Sequence, residues 1–113
     1  MRFFRGLKFA LRGIGFALRE YNFKIQLVCV ALVVVAGWHF QISLTEWLAI
    51  AICIGAVLSA EVFNTAIEKL ADFIHPDQNE KIGQAKDLAA GAVLIFAIIS
   101  LIVACIIFIP KIF

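Results

Sequence analysis

Charge and proline are what this sequence has least of. Two prolines, Pro76 and Pro110, stand among 113 residues, so long helices can run with few forced breaks. Only 16% of the residues are charged while 64% are hydrophobic, too little polar surface to clothe a soluble domain. Cys29, Cys53 and Cys105 each lie alone inside an apolar run, which argues against a disulfide framework or a thiolate metal centre. They read as small buried hydrophobes. There is no Gly-x-x-x-x-Gly-Lys-Ser/Thr phosphate loop and no glycine-rich kinase loop, so any nucleotide site is of another design. His39 and His75 fall at the end of a span and in a turn signal, where they read as surface residues. No nucleic-acid partner is expected.

What is present is hydrophobicity in membrane-length runs. The hydrocarbon core of a bilayer is roughly 30 Å thick and a helix rises about 1.5 Å per residue, so a crossing takes about 20 mainly apolar residues. Residues 25–42 are interrupted only by Gln26, His39 and Gln41, and residues 88–110 only by Ser100. Residues 47–60 are apolar or small before Glu61 intervenes, yet helical patterning continues to about Ile74, where His75-Pro76-Asp77 reads as a turn. The expected fold is all-α and integral to the membrane, a single domain over residues 1–113. It begins with an amphipathic surface helix over about 2–22, followed by spans over about 25–42, about 45–68 (helical on to about 74) and about 87–110.

The first 24 residues carry an apolar seam, Phe4, Leu7, Leu11, Ile14 and Leu18, beside a basic one, Arg5, Lys8, Arg12 and Arg19. That pattern suits a helix lying on an anionic membrane surface, as a topogenic anchor or as a holder of phosphate. Six basic residues precede the first span and Lys69, Lys81 and Lys86 lie between the second and third, but none lies between the first two. The asymmetry predicts a cytosolic N-terminus and an external C-terminus. Ser43 and Glu46 have the spacing of a capping box, which predicts a tight hairpin into the second span, with Trp38 and Trp47 at the same outer interface.

The second span carries the chemistry. Glu61, Asn64, Glu68 and Asp72 are spaced 3, 4 and 4, which at about 100° per residue confines them to one face roughly 80° wide. A carboxylate within the bilayer costs several kcal/mol, so Glu61 must face protein, a wet cleft or a bound cation. Carboxylates with an amide between them are hard oxygen donors suited to Mg²⁺, which takes one or two carboxylates and leaves other positions to phosphates. The duller reading is a polar seam between helices, or for Asp72 a charged helix end. Lys86 and Asp87 open the third span at the same level, as a phosphate-binding pair or as an interfacial anchor and a helix cap. Glu20 lies at that level too, between the surface helix and the first span.

Two classes of function satisfy these residues. A lipid kinase would place a lipid hydroxyl beside Glu61 and phosphates against Lys86 and a metal. A small non-enzymatic membrane protein, such as a proton-coupled transporter, would cycle protons on Glu61, although transporters keep their sites near the midplane rather than at one end.

The run from Glu61 through Asn64 to Glu68, then Asp72, then Ala85-Lys86-Asp87 with Leu88 to Val93, resembles the signature of prokaryotic diacylglycerol kinases. Glu20 to Ile25 is similar to the segment entering that family's first span, so the likeness covers nearly the whole chain. Glu46-Trp47-Leu48 and the ending Phe108 to Lys111 look more like the undecaprenol kinase branch. The resemblance implies a homotrimer in a bacterial inner membrane that transfers the γ-phosphate of MgATP to a membrane lipid alcohol, undecaprenol before diacylglycerol. It implies Glu61 as general base, Glu20 and Glu68 as Mg²⁺ ligands, and Glu20, Asn64, Glu68, Lys86, Asp87 and Arg12 around the nucleotide. The pair Arg12-Gly13 departs from the family pattern, sitting one residue nearer Glu20. One copy offers too little to shield Glu61 and enclose a nucleotide, so neighbouring copies are expected to complete the site, with Glu61 and Glu20 of one site coming from different chains. Small residues at Gly55/Ser59 and Ala89 to Ala92 supply close helix contacts.

Overall fold

The computed structural model describes residues 2–74 and 79–113, and every regular element within these residues is a helix. Four helices follow in order, α1 (Arg2–Ala17), α2 (Tyr21–His39), α3 (Leu44–Ile74) and α4 (Glu80–Ile112). The last three are each long and apolar enough to cross a membrane. The turn expected at His75-Pro76-Asp77 lies outside the described residues.

The apolar seam of the first segment continues to Leu18, but helix α1 stops at Ala17 and Tyr21 already belongs to α2. The last turn tightens, with Arg19 N donating to Phe16 O at 3.2 Å and Glu20 N to Ala17 O at 3.0 Å. Glu20 then turns extended (φ −80°, ψ 136°) and its carbonyl accepts the first bond of α2, from Lys24 N. Its side chain makes no cap and is left free to reach elsewhere.

The hairpin between α2 and α3 satisfies its backbone within six residues. Ile42 N donates to Gly37 O at 3.1 Å and Gln41 N to Trp38 O at 3.3 Å, the paired closure of a Schellman turn, with Gln41 in the left-handed region (φ 50°) where glycine is usual. The capping box then forms as its spacing predicts: Ser43 N donates to Glu46 Oε1 at 2.9 Å and Glu46 N to Ser43 Oγ at 3.2 Å. The other oxygen of Glu46 accepts from Lys111 Nζ at 2.8 Å, tying the end of α4 to the start of α3. Ile42, Ile50 and Ile107 form the buried core beneath this clamp, and Phe40 packs tilted against Phe108 with centroids 6.0 Å apart.

Helix α3 packs most extensively on α4, less on α2, and touches α1. Most of the apolar surface faces outward, as a chain solvated by lipid requires. Three expectations change. Cys29 and Cys105 are exposed and Cys53 only half-buried, because each points from its helix toward the surroundings or a groove instead of the core. Trp47 turns inward onto Gly37 while Trp38 stays exposed, so only Trp38 has the posture of an interfacial ring. Helix α4 starts two turns before Lys86-Asp87, capped by Asn79, whose Oδ1 accepts from Lys81 N at 3.0 Å and Ile82 N at 3.3 Å, so Asp87 is no helix cap.

A Cβ on Gly37 would stand 2.7 Å from Cη2 of Trp47 and 3.1 Å from Cδ1 of Ile42, and a rigid indole has no easy retreat. Gly37→Ala should therefore destabilise by about 1–3 kcal/mol, the usual cost of overpacking. Gly15→Ala, where nothing lies within 4 Å, is the control. Thermal unfolding of both in detergent checks this, and equal melting would refute it.

Candidate active site

In the half of α3 away from the hairpin, the acidic face lies partly inside the protein. Glu61 is 3% exposed and Asn64 6%, the only buried polar side chains among the described residues. Buried Ala60 and Ala71 lie on the same helix, and Ala17 and Phe23 are buried at the α1–α2 junction. Glu61 is thus covered within a single chain.

The face is internally wired. Asn64 Nδ2 donates to Glu68 Oε1 at 3.2 Å, a contact between residues one turn apart. That fixes the amide's orientation and leaves Asn64 Oδ1 buried with no hydrogen-bond partner among the described residues. A buried acceptor without a donor is costly, of the order of 1–3 kcal/mol, and commonly marks a place for a ligand or water.

The remaining candidates sit round the rim. Glu20 Oε1 pairs with Lys69 Nζ of its own chain at 3.3 Å, beside Glu68 in sequence. Lys86 Nζ donates to Asp72 Oδ1 at 2.8 Å, with Glu68 also within its electrostatic reach. Asp87, one residue further round α4, is not brought to this face: it borders an open hollow lined only by α4, with Gln84, Leu88, Gly91, Ala92 and Ile95. Arg12 is exposed on α1 and makes no ion pair among the described residues. No group of three or more His, Cys, Asp or Glu side chains stands at metal-binding spacing there either. The sequence reading missed Lys69, whose place next to Glu68 on the extension of α3 was the available signal.

Residues 8–108 match the family described as "Prokaryotic diacylglycerol kinase". The chain belongs to this family. Undecaprenol kinase of Bacillus subtilis (strain 168) is 40% identical over 111 residues, 97% of this chain and 90% of that protein. Diacylglycerol kinase of Escherichia coli (strain K12) is 34% identical over 107 residues, 93% of this chain and 87% of that protein. The chain is a membrane lipid kinase, which removes the proton-coupled transporter as the account of Glu61.

The Lys86–Asp72 pair is short but its side chains are 38% and 65% exposed, and exposed pairs contribute about 0–1 kcal/mol. Asp72→Asn should leave the thermal stability in detergent within about 1 kcal/mol of the parent. A larger loss would mean that this pair anchors α4 to α3.

Proposed function

We propose that this kinase transfers the γ-phosphoryl group of ATP to the hydroxyl of a membrane lipid alcohol at the cytosolic face of a bacterial inner membrane. Undecaprenol is favoured over diacylglycerol, because identity is higher to the undecaprenol kinase than to the diacylglycerol kinase. The observation that carries the chemistry is a buried Glu61 beside the unpartnered oxygen of Asn64, where the apolar first half of α3 gives way to its polar second half. A hydroxyl held there can donate to Asn64 Oδ1 or to the Glu61 carboxylate.

As general base, Glu61 takes the hydroxyl proton while the lipid oxygen bonds to the γ-phosphorus and the bond from that phosphorus to its β-bridging oxygen breaks, releasing ADP. Lys86 lies at the rim to offset phosphate charge, with Asp87 and Arg12 assigned to the nucleotide. The hard oxygens of Glu68 and Glu20 suit Mg²⁺, with substrate phosphates completing the coordination. Once bound, that ion would supply neutralisation of phosphate charge.

The N-terminus is assigned to the cytosol and the C-terminus to the outside by the Lys/Arg asymmetry. Helix α1 is assigned to the membrane surface, where its exposed Phe4, Leu7, Leu11 and Ile14 can enter the headgroup boundary. The assembly is taken to be a homotrimer. Asp87 supports a shared site, since its hollow is lined by α4 alone and has small residues, Gly91 and Ala92, for a neighbour to approach.

Glu61→Gln should keep the fold and lower turnover by about 10² or more with little change in nucleotide affinity. Glu68→Gln should instead raise the Mg²⁺ concentration needed for half-maximal activity, since it deletes a hard oxygen donor. Steady-state assays with lipid, ATP and Mg²⁺ varied in turn separate the two, and exchanged phenotypes would overturn the roles.

Mixed oligomers of Glu61→Gln and Glu20→Gln should recover some activity, because Glu61 and Glu20 of one site are assigned to different chains and some interfaces then receive both intact residues. Mixed assemblies that form and stay as inactive as the pure variants would refute sharing between these two residues.

A further inference from the structure

Below the hairpin core, α2, α3 and α4 enclose a groove of about 90 Å³ that runs along α3 from Ile50 to Val57, roughly 10 Å at the helical rise. Val57 is one turn, about 6 Å, from Glu61. The groove's polar side chains are Gln26 and Ser100, and both stand at the same end. Gln26 lies 13 residues before His39, which ends α2, and Val57 lies 13 residues after Leu44, which starts α3. Ser100 lies 11 residues before Lys111, and Val57 lies 11 residues after Glu46, the partner that holds Lys111 level with it. Gln26, Ser100 and Val57 therefore share one depth, next to Glu61. Away from that end the lining is apolar or weakly polar and includes Cys29, Cys53, Ile50 and Ala104.

We infer that this groove holds the first few carbons of the lipid alcohol's chain, with Gln26 and Ser100 beside the head and Cys53 and Ala104 against the hydrocarbon, so that the hydroxyl is delivered to Glu61. The inference rests on the proposed function and adds the subsite. Its warrant is the match of shapes: an amphiphile whose polar end meets Glu61 needs a groove polar at that end and apolar beyond. The volume suits a short segment, being smaller than the roughly 150 Å³ of a cavity that takes benzene, and the rest of the chain stays in the bilayer. Lipid surrounds the groove, so entry brings no hydrophobic gain over the membrane. The groove acts by orientation, which governs how often the hydroxyl stands in line with the phosphorus.

The test is steady-state kinetics of the active assembly in mixed micelles with undecaprenol and with diacylglycerol. Cys53→Phe fills the groove, and Cys105→Phe, on an exposed face, is the control. Cys53→Phe should lower kcat/KM for the lipid by about tenfold or more with KM for MgATP unchanged within about twofold, since misplacing reacting atoms slightly costs up to about 10²-fold. Cys105→Phe should change neither. A folded Cys53→Phe protein with parental lipid kcat/KM overturns the groove while leaving the lipid kinase reading intact. A wild-type protein that phosphorylates no lipid alcohol overturns that reading. Should Cys53→Phe fail to fold, a long-chain alcohol bearing a diazirine a few carbons from its hydroxyl tests the wild type. Labelling of the groove-lining segments that undecaprenol competes away supports the inference, and labelling confined to other faces overturns it.

Discussion

A carboxylate inside a bilayer must be screened from hydrocarbon, and the rest of this structure is arranged around that requirement at Glu61. Helix α3 meets it by burying the residue where its apolar first half ends, 17 residues or roughly 25 Å from Leu44. Because α3 has 31 residues, roughly 46 Å at the helical rise, it outruns a hydrocarbon core of about 30 Å and carries Glu68 and Asp72 beyond it. One continuous helix thereby spans the change from lipid to water, and the acidic face follows that gradient. Glu61 and Asn64 are dry, Glu68 is half-buried and Asp72 is exposed.

Much of this was legible in the sequence because periodicity and hydrophobic length are properties of the chain alone. The Ser43–Glu46 capping box, the acidic face of α3 and the membrane-length runs follow from spacing. The end of α1 was not legible: its apolar seam carries on to Leu18, and no glycine or proline marks the extended backbone at Glu20. The start of α4 is signalled by Asn79, a good cap, but the membrane-length apolar run begins only at Leu88, nine residues later.

The pairs that cross between helices were the least visible. Lys111 with Glu46, Lys86 with Asp72 and Lys69 with Glu20 each join residues far apart in sequence, and their choice depends on how the helices are rotated against one another. Asp87 shows the same limit within one helix. Its neighbour Lys86 meets α3, so a step of about 100° turns Asp87 toward the open side. A Lys-Asp dipeptide reads as one unit in sequence and divides its two charges between separate faces once it is helical.

The two ends of the helical bundle are held unequally. The hairpin end has a closed backbone turn, a buried isoleucine core and the Glu46–Lys111 pair, whose side chains are only 26% and 27% exposed. The opposite end is joined by the more exposed Lys86–Asp72 and Lys69–Glu20 contacts. Exposed pairs of this kind contribute about 0–1 kcal/mol each, so the grip between the helices comes from the hairpin clamp and the α3–α4 packing, and the charges at the far end are free to change partners at little cost in stability.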